Sequence, residues 1–576
     1  MKYLNAFACA LMMLTTAACS NPVQKAPEPA PWAYGAMASV ANPHATAAAM
    51  AMLEQGGHAV DAAIAAHAVL GLVEPQSSGI GGGAFMVVHE HESGSLLFHD
   101  GRETAPAGAT VDMFMRDGET MGFLSAWQSG TAVGVPGAIK LYEDTHRKYG
   151  KLPWAELFQP AIDLANEGFE VSPRMAAFLP RIAAVSRLDE NPGAKEYFYP
   201  GGKPLLAGTL LKNPEYGATL KAVAEQGSRA FYTGQLAEAM AAAAQMEPAP
   251  GTLSTADIEA YTTVERDVAC APFRTFTICG ASPPSSAAAP IMMMAIYDQL
   301  VGPSASHEDK VAAFVDAQRL AYADRDHYIA DPDFVSVPLD GLLNAAYLTE
   351  RAGQRFAPDE PAVQGDPSSY IGSGSASVFG NDSTDEIAGT SHLSIVDGDG
   401  NAVSMTATVE APFGSSRWVG GFLLNNQMTD FARAYQPDTP PQANAIAPGK
   451  RPRSSMSPIV IFDEAGRLKM VTGSPGGNSI PAYVFKSMVA VLDWGMTPET
   501  AVAYPNIIAR GDKVRVEIAM EEGKALANAL KARGYNVEER EGENSGLHLI
   551  LVEDGELKGA ADPRREGTVG VLSTAP

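Results

Sequence analysis

Basic charge is scarce in this sequence. Its 576 residues carry 41 Lys and Arg against 66 Asp and Glu, a formal charge of -25. Such a surface repels phosphate backbones, which excludes nucleic acid as a partner, and it offers no basic patch to a membrane. Cysteine is scarcer still: four in the whole chain, with no Cys-x-x-Cys or Cys/His spacing, so no zinc site is expected. Internal repeats are missing, as is any sign of a second independent domain. What is there is a chain 46% hydrophobic and 19% charged. That is long and apolar enough to bury a large core, and it points to a big α+β or α/β enzyme rather than a binding module or a disordered protein.

The first residues, MKYLNAFACALMMLTTAACS, place Lys2 before an apolar run and the small residues Thr16, Ala17 and Ala18 before Cys19. A charged start, a short apolar stretch and small residues read as a secretory signal, too short for an ordinary spanning helix. Residues 1–19 resemble a bacterial lipobox, with Cys19 as the lipidated residue. An ordinary signal-peptidase cut nearby is the alternative. Residues 20–34, rich in proline, read as a tether. The expected location is periplasmic, with membrane contact only through a lipid anchor. In an exported protein Cys270 and Cys279, on two short strand-like runs, either pair as a disulfide or remain buried thiols.

Along the chain, Ala-rich helical stretches stop at Gly56 and Gly57, a glycine loop (GIGGGAF, 79–85) opens a strand, and residues 135–350 read as mostly helical. A dinucleotide loop would follow a strand and open a helix. GIGGGAF does the reverse, so a close backbone approach in the core is the better reading. Residues 362–388 lose apolar periodicity and read as a flexible loop. DGDGN (397–401) starts like a calcium loop, but its twelfth position is Thr408 where a bidentate Glu is required, so it reads as a hairpin turn. His89 and His91, with His99 nearby, read as solvated strand-edge residues rather than metal ligands.

GTSHLSIVDGDGNAVSMTATVEAPFGSS (389–416) crowds Thr390, Ser391, His392 and Ser394 into the mouth of an apolar strand. A polar loop followed at once by a buried-looking strand suits a chain cut before Thr390. A terminal Thr carries its own base, since a free α-amino group has a pKa of about 7.7–8 and can take the hydroxyl proton. A Thr capping a loop is the plain alternative.

These residues, with GFLLNNQMTDF, GKRPRSSMSP, TGSPGG, GGHAVDAAIAAHAVLGLVEPQSSGIGGGAF, DGRETAPA, AVGVPGA, AYADRDHYIADPDFVSVP and GAADPRREG, resemble the γ-glutamyltransferase (glutathione hydrolase) family of N-terminal-nucleophile hydrolases. The resemblance spans nearly the whole chain after the tether. It implies a four-layer αββα sandwich and a precursor that cuts itself between Gly389 and Thr390. Residues 35–389 would become a large subunit and 390–576 a small one, the two forming one interlaced catalytic domain. Carried over in the same way, Thr390 is the nucleophile, Thr408 supports its hydroxyl, and the backbone amides of Gly476 and Gly477 form the oxyanion hole. Arg102, Ser454 and Ser455 match the groups that hold the substrate α-carboxylate, and Gln427 and Asp430 those that face its α-ammonium. No metal or organic cofactor is implied. The expected partners are a glutathione-like γ-glutamyl amide and, as acceptor, water or an amino-acid or peptide amine.

Three departures accompany the match. Glu410 stands where the best-known members have Asn; a carboxylate there strengthens an ammonium contact but would repel the α-carboxylate. The lid, residues 431–448, looks shortened, and PPSSAAA replaces a more usual glycine. His392 is expected to be a structural neighbour, not a general base, and Ser391 and Ser394 to be structural or to assist self-cleavage. A same-fold amidase such as a cephalosporin acylase is the nearest alternative. An unprocessed envelope lipoprotein that only binds a ligand is the alternative outside enzymes.

Overall fold

The computed structural model describes residues 31–371 (except 248), 379–380, 382, 384–387, 389–435 and 437–573. The signal segment with Cys19, and most of the tether, lie outside the described residues.

Two antiparallel sheets form its centre. One has seven strands in the order Thr568–Leu572, Ala36–Val40, Gly389–Val396, Ala402–Glu410, Gly83–His89, Leu96–Gly101 and Val264–Arg266. The other has six: Glu556–Ala561, His548–Glu553, Leu468–Gly473, Ile459–Phe462, Phe276–Ala281 and Val268–Phe273. The sheets face each other, with helices Pro43–Glu54 and Ala59–Val73 outside the first and Ala288–Leu300, His307–Tyr328 and Ile480–Leu492 outside the second. This is the αββα sandwich, and it explains why its strands are apolar on both faces. In Gly83–His89, Ala84, Met86 and Val88 enter the core under the first helical layer, while Phe85 and Val87 enter the core between the sheets.

Local chemistry sets the elements that frame the site. Helix Ala59–Val73 is buried along its whole length, and its Ala-rich sequence lets it lie close to the sheet. A capping box joins His58 and Asp61 at its start. The DGDGN turn is held by the Asp397 carboxylate, which accepts from the N–H groups of Asp399 and Asn401 at 2.9 Å each. That turn fixes the register in which Thr390 faces Thr408. Gly82 is required by proximity: a Cβ there would lie 2.0 Å from the Thr408 carbonyl oxygen.

Two expectations change. Cys270 and Cys279 face each other across a hairpin and form a disulfide, closing the alternative of two thiols. His89 and His99 are not solvated edge residues but are buried, at 4% and 6% exposure. The second sheet's Phe462 packs on His89 and Tyr149 bonds His99 at 2.9 Å, because the strand that carries each is covered on both faces. Burial lowers both imidazoles to about 4. Among the described residues no group of three or more His, Cys, Asp or Glu is arranged to hold a metal ion, and no helix is long and apolar enough to cross a membrane.

Candidate active site

The hairpin Gly389–Val396/Ala402–Glu410 brings two hydroxyls together. Thr390 Oγ1 donates to Thr408 Oγ1 at 3.1 Å, and Thr408 Oγ1 donates to the Gly389 carbonyl oxygen at 2.6 Å. Thr408 Oγ1 also accepts from the Glu410 N–H at 2.8 Å. The Thr390 hydroxyl and the carbonyl of the peptide bond before it are thus linked through one side chain. The register shifts at Gly389/Thr390, and Glu410 takes φ +77°, a left-handed conformation that costs a non-glycine residue of order 1 kcal/mol. A Cβ on Gly389 would meet the Glu410 carbonyl oxygen at 2.3 Å, so the position before Thr390 needs glycine. From below, Arg565 Nη1 donates to the Thr390 carbonyl at 2.8 Å.

Thr390 and Thr408 open onto a narrow cavity whose walls include Arg102, Glu410, Gln427 and Asp430. Ser454, Gly477, Glu386 and Ile387 complete it, leaving about 10 Å³ in which a water centre could sit. Ser455 reaches it through Glu386, whose Oε2 accepts from the Ser455 N–H at 2.8 Å. Gly476 opens instead onto a larger neighbouring cavity of about 790 Å³, which it shares with Glu386 and Asn478. Gly476 and Gly477 have φ of +140° and +55°, as the chain turns into the short helix Gly477–Ser479.

Charge in the cavity is unbalanced. Arg102 is fully buried, and its Nη2 donates to Asp430 Oδ2 at 2.5 Å and to the Arg453 carbonyl at 3.0 Å. Gln427 Nε2 donates to the same Asp430 oxygen at 2.6 Å. Arg102 Nη1, Gln427 Oε1 and Asp430 Oδ1 have no hydrogen-bond partner among the described residues. A buried donor beside two buried acceptors is costly unless a ligand supplies the missing bonds. Burial and repulsion from Glu386 raise Asp430 to about 6, against the pull of Arg102. Burial and the nearby Asp430 carboxylate push Glu410 well above the carboxylate range, although it accepts from the Ile387 N–H at 3.2 Å and from the Asn426 amide. Burial raises Glu103, 3.6 Å from Arg102 Nη1, to about 8.

The other polar residues at the strand mouth are satisfied elsewhere. His392 bonds Thr406 Oγ1 at 2.8 Å and Ser394 Oγ at 3.1 Å, and burial keeps it neutral. Ser391 donates to Glu74 at 3.3 Å and Ser394 to the His548 carbonyl at 3.0 Å. Ser454 accepts from the Met456 N–H at 3.2 Å, and its own N–H donates to the Pro284 carbonyl at 2.9 Å. Glu103, Arg325, Glu386 and Arg453 were not singled out by the sequence reading, although DGRETAPA, AYADRDHYIADPDFVSVP and GKRPRSSMSP contain three of them. An acidic stretch so near Gly389-Thr390 was the available sign of the fourth. Segment 431–448, expected as the lid, is bridged within itself at Ala432–Ala445 and to the stretch that precedes the site at Gly380–Gln442.

Comparison with known proteins agrees with this geometry. The family model described as Gamma-glutamyltranspeptidase matches residues 45–572. The Glutathione hydrolase proenzyme of Escherichia coli (strain K12) is 33% identical over 583 residues, covering 96% of this chain and 97% of its own. The Acylase ACY 1 proenzyme of Pseudomonas sp. (strain V22) is also 33% identical, over 545 residues and 92% of each chain. Among solved structures, the cephalosporin acylase from Bacillus halodurans superposes with a TM-score of 0.81 at 24% identity, covering 98% of this chain and all of that one, a likeness of fold. A match that runs from the first turn of helix Pro43–Glu54 to the last strand leaves one reading: the chain belongs to the gamma-glutamyltranspeptidase family.

Proposed function

We infer that this protein is a self-processing γ-glutamyl hydrolase/transpeptidase that works through a Thr390 acyl-enzyme. The observation that carries this reading is the hydrogen-bonded line from Thr390 Oγ1 through Thr408 Oγ1 to the Gly389 carbonyl. In maturation, Thr390 Oγ1 attacks the Gly389 carbonyl carbon, with Thr408 donating to the oxygen that gains charge. The C–N bond breaks, the nitrogen takes the proton, and water hydrolyses the resulting ester. The products are a carboxylate at Gly389 and a free amine at Thr390.

In turnover that amine takes the Thr390 hydroxyl proton, and the oxygen attacks the γ-carbonyl of the donor. The amine product leaves with the proton, cysteinylglycine in the case of glutathione. Water or an amino-acid or peptide amine then resolves the acyl-enzyme. Gly476 and Gly477 supply N–H groups to the oxyanion, as their positive φ values suit. Arg102, Ser454 and Ser455 hold the α-carboxylate, and Gln427, Asp430 and Glu410 the α-ammonium. The partnerless Arg102, Gln427 and Asp430 atoms support that assignment, because a zwitterion supplies a bond to each. The cut yields residues 35–389 and 390–576, held in one sandwich. Export, with a lipid on Cys19, is the reading that the first residues support, with an ordinary signal-peptidase cut as the alternative.

A second reading, an acylase of the same family for another acyl chain, is favoured by Glu410 and by the acylase relative. Hydrolysis of a γ-glutamyl anilide compared with its glutaryl analogue separates the two, because the glutaryl group lacks only the amine. The γ-glutamyl reading expects a strong preference for the first, and equal rates sink it. Intact mass of the purified protein tests the cut: a stable single chain leaves Thr390 a buried strand residue and brings forward the reading of a binding protein.

A further inference from the structure

In the uncut chain the site is occupied by the chain itself. Glu386 and Ile387, just upstream of Gly389, sit in the cavity that Thr390 opens onto. The Glu386 carboxylate is 5% exposed and gripped by groups far from it in sequence. Arg325 Nη2 donates to Oε1 at 2.5 Å, the Ser455 N–H to Oε2 at 2.8 Å, and Arg453 Nε lies 4.0 Å away. Burial pushes this carboxyl up, but the two guanidiniums and the Ser455 bond more than offset it and hold it below its ordinary value. Next to it, the Ile387 N–H donates to the Glu410 carboxylate at 3.2 Å. The Glu386 carbonyl oxygen accepts from the Asn478 N–H at 3.3 Å and lies where a Cβ on Gly477 would be, 2.3 Å away.

Residues 386 and 387 therefore present a carboxylate and an N–H donor to groups that the functional reading assigns to a substrate carboxylate and a substrate ammonium. Their backbone covers the turn assigned to the oxyanion. Arg325 is built to hold an anion at this point. Its side chain is fully buried, its Nε donates to Ser286 Oγ at 2.9 Å, its Nη1 to Asp326 at 2.8 Å, and its Nη2 also to Ser455 Oγ at 2.6 Å. These bonds fix the guanidinium whether or not Glu386 is present. Once the chain is cut, residue 386 is no longer tethered to the nucleophile strand and can leave. Its departure uncovers one lobe of Arg325 beside a second fully buried cation, Arg453. Arg325 keeps Asp326 at 2.8 Å and Arg453 has Asp382 at 2.9 Å, but the Arg325 Nη2 face and the Ser455 N–H lose their acceptor with Glu386, so an incoming carboxylate is favoured there.

We propose that Arg325 is a carboxylate-gripping specificity residue of the donor site, acting with the Ser455 N–H, and that Glu386–Ile387 is its internal stand-in, which blocks the site until the chain is cut. The proposal rests on the γ-glutamyl reading and adds to Arg102 a second guanidinium, one that no resemblance assigned.

The test uses the matured full chain, with maturation checked by intact mass, and three anilides: γ-glutamyl, 4-aminobutyryl (no carboxylate) and glutaryl (no amine). In Arg325→Gln, KM for the γ-glutamyl donor should rise about 10- to 100-fold, the loss of one charge-assisted hydrogen bond, with kcat little changed. The 4-aminobutyryl donor should be unaffected. An equal loss on all three donors, or no change on any, overturns the proposal. Failure of the functional reading looks different: the wild type itself would then take the glutaryl donor as well as the γ-glutamyl one. A second measurement covers the case in which Arg325→Gln fails to mature. Calorimetric titration with L-glutamate compares the uncut Thr390→Ala chain with Thr390→Ala/Glu386→Ala. Removing Glu386 should tighten binding at least 10-fold, and adding Arg325→Gln should abolish the gain. Equal binding to the first two chains overturns the proposal.

Discussion

Replacing Thr408 by Val keeps the volume of the side chain and removes one oxygen. That oxygen donates to the Gly389 carbonyl at 2.6 Å and accepts from Thr390 Oγ1 at 3.1 Å and from the Glu410 N–H at 2.8 Å. Two costs follow. The fold loses partners for two buried donors, about 1–3 kcal/mol each, at a point where Glu410 is already held in a left-handed conformation. Self-cleavage loses the donor that faces the developing oxyanion, a loss of about 10²- to 10³-fold in rate for a group so placed. The assay is intact mass against time after purification, with circular dichroism to show that the chain is folded. The expected outcome is an uncut, folded chain that matures at least about 100-fold more slowly than wild type. Thr408→Ser, which restores the oxygen, should recover the rate to within about tenfold. A folded Thr408→Val chain that cuts within threefold of the wild-type rate would refute the reasoning, because the hydroxyl would then not be polarising the carbonyl.

Below about pH 6 Asp430 takes up a proton, so KM for a γ-glutamyl donor should rise as pH falls through that value. The glutaryl donor has no ammonium to read, and a flat KM for both between pH 5 and 7 contradicts the assignment. Gly82→Ala drives a Cβ to 2.0 Å from the Thr408 carbonyl oxygen and should cost about 3 kcal/mol or more, read as a clear drop in Tm; an unchanged Tm argues against so close an approach. Burial depresses His67 to about 3 in the fold against 6.5 outside it. Its contribution to stability is therefore complete above pH 6.5 and is lost as pH falls toward 3, by about 1.4 kcal/mol per unit within that window. Urea midpoints measured from pH 7 to 4 should show His67→Asn with the shallower decline, and parallel slopes would count against a neutral buried imidazole.

Much of the site could be read in the sequence because it is local. The DGDGN turn pins Val396 opposite Ala402, and that register puts Thr390 opposite Thr408. Likewise GIGGGAF announced a close approach, since no other reading explains three glycines at the start of an apolar strand. Gln427 and Asp430 were named only through the resemblance; the structure puts them on one short helical turn, where they share a hydrogen bond. What escaped was non-local. Arg325 meets Glu386 across 61 residues, and the acidic stretch around Glu386 had been read as loop for want of apolar periodicity. His89 and His99 were read as edge residues because the sequence of a strand does not say that a second sheet will lie on it. The fold itself became legible only through the resemblance, as alternating apolar strands do not state how two sheets stack.

The order of strands in the larger sheet carries one more consequence. Ala36–Val40 is threaded between Gly389–Val396 and Thr568–Leu572, and Ala402–Glu410 lies against Gly83–His89. A break at Gly389–Thr390 therefore severs a thread without unravelling the cloth: each piece remains stitched to the other along several ladders. Before the break, a denatured chain can refold as a first-order process at any dilution. After it, the two pieces must find each other, and recovery becomes second order. Maturation would in that way leave the fold untouched while making its loss a one-way event, so the mature form is held by its rate of unfolding rather than by an equilibrium.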